Sequence, residues 1–486
     1  MIDKPSGLHD RDAEWGALTG FTGQRRTGAT LGLVYGRRRQ GKTYLLAQLA
    51  RATNGFMFTA AQQSGVQNLR DLSAAYHAYV GRPGVEFTDW RSAVDSLFRL
   101  GEERTTTVVL DEFSYLIDGV ESLPSLVQIA MAPGTRAAES SRTRMILCGS
   151  ALTTMRNILR GTAPLRGRAS LELLVNPFDF RDAAAFWGVE GDPELAFRLH
   201  ALVGGTPAYL GMSGGRPASR REFDRWVCGH LLDPANAMYH EGNVLLYQEP
   251  EVTDPALYFA VLTAISRGAH RRSEMANTLG RTDAALTHPL TVLESLRLIH
   301  RDDDALRDRR PVYRIAEPVI RLHQLVIAPN EAVLALRLAE RVWTAQADTV
   351  SSRIYGPHFE DLARDWCLAY ADPETIGGLP SVVRPATLAC RTHKQGHELD
   401  VVAIQVTPGE TDRILAIGEA KASTRPVEVA ELARLDHLRE LLPSGGAAPP
   451  RLLIFGRAGF SPALRRAADG RTDVSLIDLG RLYRGG

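Results

Sequence analysis

Short apolar runs alternate along this chain with longer stretches whose hydrophobic positions recur every three to four residues. Leu31-Gly-Leu-Val-Tyr35 predicts a strand, and Tyr44-Leu-Leu-Ala-Gln-Leu-Ala50, beyond a Gly-containing turn, predicts an amphipathic helix. Further strands are expected over 55–60, over the β-branched run 105–110 and over 144–148, with helices over 68–80 and 90–100. Strands alternating with helices predict a parallel sheet with crossover helices, an α/β class. Residues 178–250 lose the strand signal and read as helices broken at Gly191-Asp-Pro193, Gly204-Gly-Thr-Pro207 and Gly214-Gly-Arg-Pro217. Three more helices are expected over 257–266, 272–279 and 283–298, with Gly280 ending the second and Thr282 capping the third. An Arg/Asp-rich hairpin over 301–314 follows, and that order is the layout of a winged helix. From about Val342 the α/β pattern resumes, with strands over 399–404, 414–417 and 452–455 and a Gly/Pro-rich loop over 442–450.

Length turns this pattern into domains, because 486 residues exceed what one ordinary core holds. The expected segments are 1–177, 178–250, 251–330 and 340–486. With 44% hydrophobic and 23% charged residues the chain is globular, and a net charge of +1 gives no overall field toward nucleic acid or membrane. The first residues hold no apolar stretch of signal-peptide length, and no uncharged run reaches the ~18 residues of a spanning helix, so a cytoplasmic, non-membrane protein is expected. Cys148, Cys228, Cys367 and Cys390 stand far apart, which favours neither a disulfide framework nor a zinc ribbon. Lysine occurs only at Lys4, Lys42, Lys394 and Lys421, so 53 of the 57 basic residues are arginine. A compact ammonium does what a planar fork cannot, and two of these four lysines fall inside chemical motifs.

The first motif is Gly36-Arg37-Arg38-Arg39-Gln40-Gly41-Lys42-Thr43, placed between a strand and a helix. Glycines let the backbone N–H groups close around phosphate, Lys42 supplies a charge to the β- and γ-phosphates, and the Thr43 hydroxyl suits Mg²⁺; Tyr44 completes the segment. Chance alone gives such a spacing in on the order of a few in a thousand chains. Asp111 ends an apolar strand, where its carboxylate would join the metal, and Glu112 is suited to polarise the attacking water. Taken alone, Asp-Glu after a strand reads equally as a helix's first turn. Ser150 would either touch the γ-phosphate or cap the next helix. Arg156, Arg160, Arg166 and Arg168 follow; Arg168 is the candidate arginine finger toward a neighbouring copy, and a solvated helix face accounts for the others.

Together with Leu8-His-Asp-Arg-Asp-Ala-Glu-Trp-Gly-Ala-Leu18, Pro164-Leu-Arg-Gly-Arg168 and Gly204-Gly-Thr-Pro-Ala-Tyr-Leu210, these motifs resemble the archaeal-type ATPases, a branch of the AAA+/STAND P-loop ATPases, over about Leu8 to Pro250. The resemblance implies a P-loop sheet with a helical lid, ATP and Mg²⁺, and coupling between lid and nucleotide. The entry segment Leu8–Leu18 lacks the family's usual Gly-Arg-Glu, and Arg39 and Gln40 fill loop positions that vary in the family.

Two segments remain. Over 255–315 ten arginines face seven acids, a local +3, and Arg271, Arg272 and Arg281 flank the second and third helices where phosphate contacts would fall. A protein-binding winged helix is the alternative. Farther on, Asp400 and Glu419-Ala-Lys421 sit on two expected strands, with strand alternation putting Glu419 and Lys421 on one face. Asp400, Glu419 and an upstream Glu360 would hold Mg²⁺ while Lys421 stabilises charge on a phosphodiester. An ordinary Glu–Lys pair on a solvated hairpin is the alternative. The Asp-x(18)-Glu-x-Lys pattern resembles the PD-(D/E)xK nuclease fold, a restriction-endonuclease-like α/β domain; the usual Pro before Asp is Leu399 here. The reading is an ATP-hydrolysing protein, with possible self-association, that binds DNA and cuts it in a Mg²⁺-dependent way. A signalling or scaffold switch with an inactive nuclease-like domain is the alternative, and a remodelling ATPase with a protein client is a third.

Overall fold

Six fully buried positions, Thr30–Tyr35, make β1, because a strand covered on both faces must be apolar at every residue rather than at alternate ones. The computed structural model describes residues 2–82, 84–249, 252, 254–307, 311–390, 395–409, 411–442 and 448–486. Most of the expected loop over 442–450 and part of the hairpin over 301–314 therefore lie outside the described residues, as does Lys394. The chain divides into two compact units, residues 1–177 with 206–208, and residues 178–205 with 209–486.

In the first unit β2 (Phe56–Thr59), β3 (Thr106–Asp111) and β4 (Thr143–Gly149) appear within a residue or two of expectation. A fifth strand, β5 (Ala169–Leu174), was not anticipated: its alternating exposed and half-buried residues carry no apolar run. The sheet is wholly parallel, in the order β2-β3-β4-β1-β5. Thus the chain is α/β with a central parallel sheet, and β1, β3 and β4 lie side by side with their carboxyl ends at Tyr35, Asp111 and Gly149. Arg144, fully buried in β4, has no carboxylate partner; Nη1 donates to the Gly28 carbonyl at 2.9 Å, and Nη2 to those of Gln24 and Arg26 at 2.8 and 2.6 Å. One guanidinium thus ties the chain entering β1 to the sheet centre.

The second unit opens with helices, among them Pro193–Val203 and Ala237–Tyr247. Three helices, Pro255–Ser266, Arg272–Leu279 and Asp283–Ser295, then precede the antiparallel pair β6 (Ile299–Asp302) and β7 (Val312–Ile315). Gly280 ends the second of these helices in the left-handed region (φ 60°), as expected, whereas Thr282 occupies the N-cap position of the third without a side-chain capping bond. A last sheet follows: β8 (Val382–Cys390), β9 (Gln395–Gln405), β10 (Arg413–Lys421), β11 (Arg451–Gly456) and β12 (Val474–Asp478), in the order β12-β11-β10-β9-β8. β8, β9 and β10 pair antiparallel, and β10, β11 and β12 pair parallel. Its two faces are read off the alternation: Val401, Ala403, Leu453 and Phe455 join a core with Phe197, Phe359 and Trp366, while Val402, Ile404, Leu452 and Ile454 pack with Leu435 and Leu438 of helix Val429–Glu440. Trp366 meets Phe455 edge to face at 5.8 Å.

Arg144→Met should cost about 3 kcal/mol of stability in the first unit, since it orphans three carbonyls while keeping side-chain volume. Denaturant unfolding followed by tryptophan fluorescence measures it; a loss below about 0.5 kcal/mol would contradict the role given to this guanidinium.

Candidate functional site

The turn after β1 is built by close backbone approach. A Cβ on Gly36 would lie 2.3 Å from the Val175 carbonyl oxygen, so only glycine fits there. Gly41, at φ 82°, is the N-cap of helix Lys42–Ala52, and Arg39 takes φ 69° inside the turn. Lys42 is 5% exposed, and its Nζ donates to the carbonyls of Gly36 and Arg37 at 2.7 Å each, so the ammonium lies across the loop that its own helix begins. Arg37 and Gln40 are buried; Arg38 is held by the Tyr115 hydroxyl at 2.6 Å, and the Arg39 carbonyl accepts from Ala208 N at 3.4 Å. Thr43 and Tyr44 are exposed, the latter donating its hydroxyl to the Gly7 carbonyl at 3.2 Å. Arg11 was not anticipated as part of this loop. It is 5% exposed and bonds Glu14 (2.8 Å), the Asn176 carbonyl (2.7 Å) and, at 3.4 Å, the Gln40 carbonyl. Asp10 and Arg11 take φ 50° and 66°, so the departure from Gly-Arg-Glu puts an Asp in a left-handed position where glycine is at ease.

Beside the loop, at the end of β3, Asp111 is 1% exposed. Its Oδ1 accepts from Glu112 N at 3.0 Å, while its Oδ2 is buried with no hydrogen-bond partner among the described residues. Glu112 sits at φ 51°, a costly conformation for a non-glycine residue, and its Oε2 accepts the Ser150 hydroxyl at 2.9 Å. Of the two readings of Ser150, capping fails: the next helix, Leu152–Asn157, starts from Ala151 without a side-chain cap. Parallel pairing of β3 with β4 sets Ser150 beside Glu112 despite the 38 residues between them. At the end of β4 the Cys148 thiol is pushed well above its ordinary value, by burial first and then by Asp111, against an opposing pull from Lys42. Loop lysine and strand carboxylate therefore act on one buried point. Among the arginines after β4, Arg156 stacks over the Tyr35 ring, Arg166 donates to the Gly161 carbonyl and Arg168 to the Met131 carbonyl at 3.0 Å, while Arg160 is exposed.

The second cluster forms in the C-terminal sheet. Pairing of Gly418 with Val401 carries Glu419 opposite Asp400. Asp400 Oδ2 accepts from Ala420 N at 2.8 Å. Glu419 is buried, with Lys421 Nζ 2.7 Å from Oε1 and Arg434 Nη1 on Oε2. Glu431 adds a longer contact to each cation, 3.6 Å to Lys421 and 3.8 Å to Arg434. Glu431 and Arg434, on the helix after β10, were missed in sequence; their only trace there is an i,i+3 acid–base spacing common to solvated helices. Glu360 has a cation partner of its own. Its Oε2 is paired with Arg314 of β7 at 2.8 Å, and among the described residues no three His, Cys, Asp or Glu side chains are grouped to hold a metal. Glu360 nonetheless shares a cavity wall with Asp400 and raises its carboxyl, as Glu419 does, while Arg314 engages Glu360 and Lys421 and Arg434 engage Glu419. Arg271, Arg272 and Arg281 are exposed around helix Arg272–Leu279, with Arg272 3.8 Å from Asp283.

Residues 9–212 match the family model described as "ATPase domain predominantly from Archaea". This segment is an archaeal-type ATPase domain. Among solved structures, the Walker-type ATPase of Pyrococcus abyssi is 20% identical, covering 66% of this chain and 97% of its own, with a TM-score of 0.50, a likeness of fold. The ORC2 protein of Aeropyrum pernix, in its ADPNP–ADP complexes, is 17% identical over 71% of this chain and 97% of its own, with a TM-score of 0.41. Cdc6p of Pyrobaculum aerophilum is 14% identical over 70% and 97%, with a TM-score of 0.35. No curated protein matches in sequence. The ATPase domain match leaves residues 213–486, with the whole carboxylate cluster, outside it. No helix among the described residues is long and apolar enough to cross a membrane.

Burial, then Glu419, then Glu360 raise the Asp400 carboxyl to about 7, against Ala420 N and Arg364. A carboxyl raised on folding binds its proton in the native state between about pH 4 and 7, so its share of stability falls as pH rises through that window. In metal-free buffer Asp400→Asn should therefore be more stable than the parent at pH 8, and the difference should vanish below about pH 4. Paired denaturant curves across pH test this, and a pH-independent difference would refute it.

Proposed function

We propose that the ATPase domain drives a DNA-processing protein whose C-terminal sheet cleaves phosphodiesters with a divalent metal. For the nucleotide end, two observations support the fit: the Gly36 cradle that no Cβ could enter, and the partnerless buried Asp111 Oδ2. Residues 36–44 would wrap the phosphates, with Lys42 exchanging two carbonyl bonds for phosphate oxygens, and Thr43 and Asp111 would hold Mg²⁺. Bound Mg-ATP supplies the phosphoanhydride and the charge neutralisation of its cleavage. Glu112 would orient the attacking water and take its proton, and the Ser150 hydroxyl fixes the carboxylate that does so. As an arginine finger toward a second copy, Arg168 would first have to give up the Met131 carbonyl.

For the other end, the succession of three helices and the β6–β7 hairpin supports a winged-helix reading, in which exposed Arg271, Arg272 and Arg281 would make phosphate contacts. The observation that carries cleavage is the pairing of Asp400 with Glu419, with Lys421 Nζ 2.7 Å away. Two carboxylates brought together in a buried setting repel, and a divalent cation relieves that repulsion. Such an ion supplies Lewis acidity at a phosphodiester. Lys421 would stabilise the charge gathering on phosphorus-bound oxygens as water adds and the leaving oxygen departs with a proton. The expected ligands are Asp400 and Glu419, Glu360 joining only if Arg314 releases it. That ion pair favours a second reading, a nucleotide-driven switch whose sheet grips DNA without cutting.

Lys42→Ala should weaken ATP binding by about 2 kcal/mol, near thirtyfold, whereas Glu112→Gln should retain binding and slow hydrolysis by about a hundredfold or more. Equilibrium binding beside steady-state turnover separates the two, and unchanged ATP affinity in Lys42→Ala would overturn the site. Glu419→Ala should abolish Mn²⁺-dependent nicking of plasmid DNA and leave ATP turnover intact; nicking that survives removes Glu419 from the metal site, and a parent that never nicks supports the switch.

A further inference from the structure

A cavity of about 540 Å³ lies within the second unit, with Asp400 and Glu360 on its wall and the β6–β7 hairpin over it. The hairpin is pinned in place. Ala305 N donates to the Pro385 carbonyl at 2.9 Å, and Thr387 N donates to Asp304 Oδ2 at 3.0 Å. Both contacts fall where the β8–β9 register shifts between Arg384 and Ala386, a break that takes Pro385 out of the ladder and leaves its carbonyl to the hairpin. From β7, Arg314 reaches Glu360 at 2.8 Å and Asp302 at 3.6 Å, a third tether.

The charges around the cavity differ in how far they are committed. Asp302 is engaged by Arg314, Asp304 by two backbone N–H groups, and Glu274 by the N–H groups of His270 and Arg271; Glu274 and Glu398 are exposed. By contrast Arg267 and Arg353 also line the cavity, are exposed, and their side chains make no hydrogen bond or ion pair among the described residues. Uncommitted positive charge thus stands at the rim beside the exposed Glu274 and Glu398, while Asp400 and Glu360 are set deeper in the wall. That is the polarity expected where a phosphate backbone is held beside a metal site.

We propose that this cavity binds a single strand of DNA and excludes the duplex. The inference rests on the carboxylates serving a phosphodiester, and it goes beyond that reading by naming the form of nucleic acid they receive. A volume of this size encloses one small molecule (~300–1,000 Å³), room for an unstacked nucleotide and not for a B-form rod whose major groove alone is ~12 Å wide. A duplex keeps its phosphates on a convex surface, which a pinned hairpin holds away from Asp400, whereas a single strand can thread beneath it. The arginine rim supplies the sequence-independent grip that single strands require.

The test is fluorescence anisotropy with the full chain, Ca²⁺ replacing Mg²⁺ so that binding is read without cutting. Labelled oligothymidylate is compared with a blunt duplex of the same length. The strand should bind about tenfold or more tightly than the duplex, and the double variant R267E/R353E should weaken the strand about tenfold while shifting duplex affinity less than about twofold. Both positions are exposed, and an unchanged melting temperature verifies that the variant folds. Equal or tighter duplex binding overturns the proposal, as does strand binding indifferent to the charge reversal, binding of neither probe, or displacement of the strand by an acidic peptide at equal concentration. A strand that binds as expected but is never cut in Mn²⁺ leaves the proposal standing and removes only the cleavage reading.

Discussion

The N-terminal site depends on one close approach, that of Gly36 to the carbonyl of Val175 at the end of β5. Any side chain there would lift the loop from the sheet and carry away the backbone that Lys42 bridges. Arg11 secures the same junction from outside by binding the carbonyls of Asn176 and Gln40. The loop is thus fixed by two strand ends and one buried guanidinium before any ligand arrives, a form of preorganisation that lowers the ordering cost of binding an anion.

Strain and desolvation recur where chemistry is expected. Glu112 takes an unfavourable backbone conformation and receives the Ser150 hydroxyl, Asp111 keeps one oxygen buried without a partner, and Asp400 is held near 7 by burial beside Glu419. Structural ion pairs also perturb titration, as Asp361 shows: its carboxyl is driven far down by Arg364, Arg321 and Arg314 despite burial. The difference lies in compensation. Asp361 is paired with Arg364 and Arg321, whereas Asp400 is buried beside Glu419 and Glu360.

Arginine dominates both units because a planar fork can satisfy several carbonyls at once. Arg144 does so for residues 24, 26 and 28, Arg181 for Leu482 and Gly485, and Arg457 pairs with Glu194 while lying over Phe197 and Tyr355. Lys42 and Lys421 take the two positions where a point charge faces crowded oxygens. Substituting arginine at either would put five fixed donors where a single ammonium fits.

Local sequence determined a good deal by itself. Glycine spacing announced the phosphate loop, short apolar runs announced β1 and β4 and a β-branched run β3, and the Gly280 stop with the helices around it announced the layout ahead of the hairpin. These signals are legible because each is set by residues within one turn or one strand. Whatever depended on distant pairing was not. β5 is short and carries no fully buried residue, β8 carries no clean alternation, Arg11 gains its role from Asn176 and Gln40, and Ser150 meets Glu112 only because β3 and β4 are neighbours. Glu360 illustrates the same limit in reverse: sequence offered it to the carboxylates, and the fold gave it to Arg314, 46 residues upstream. Residue type fixes what a side chain can do, whereas its partner is chosen by sheet register and packing, which no local pattern records.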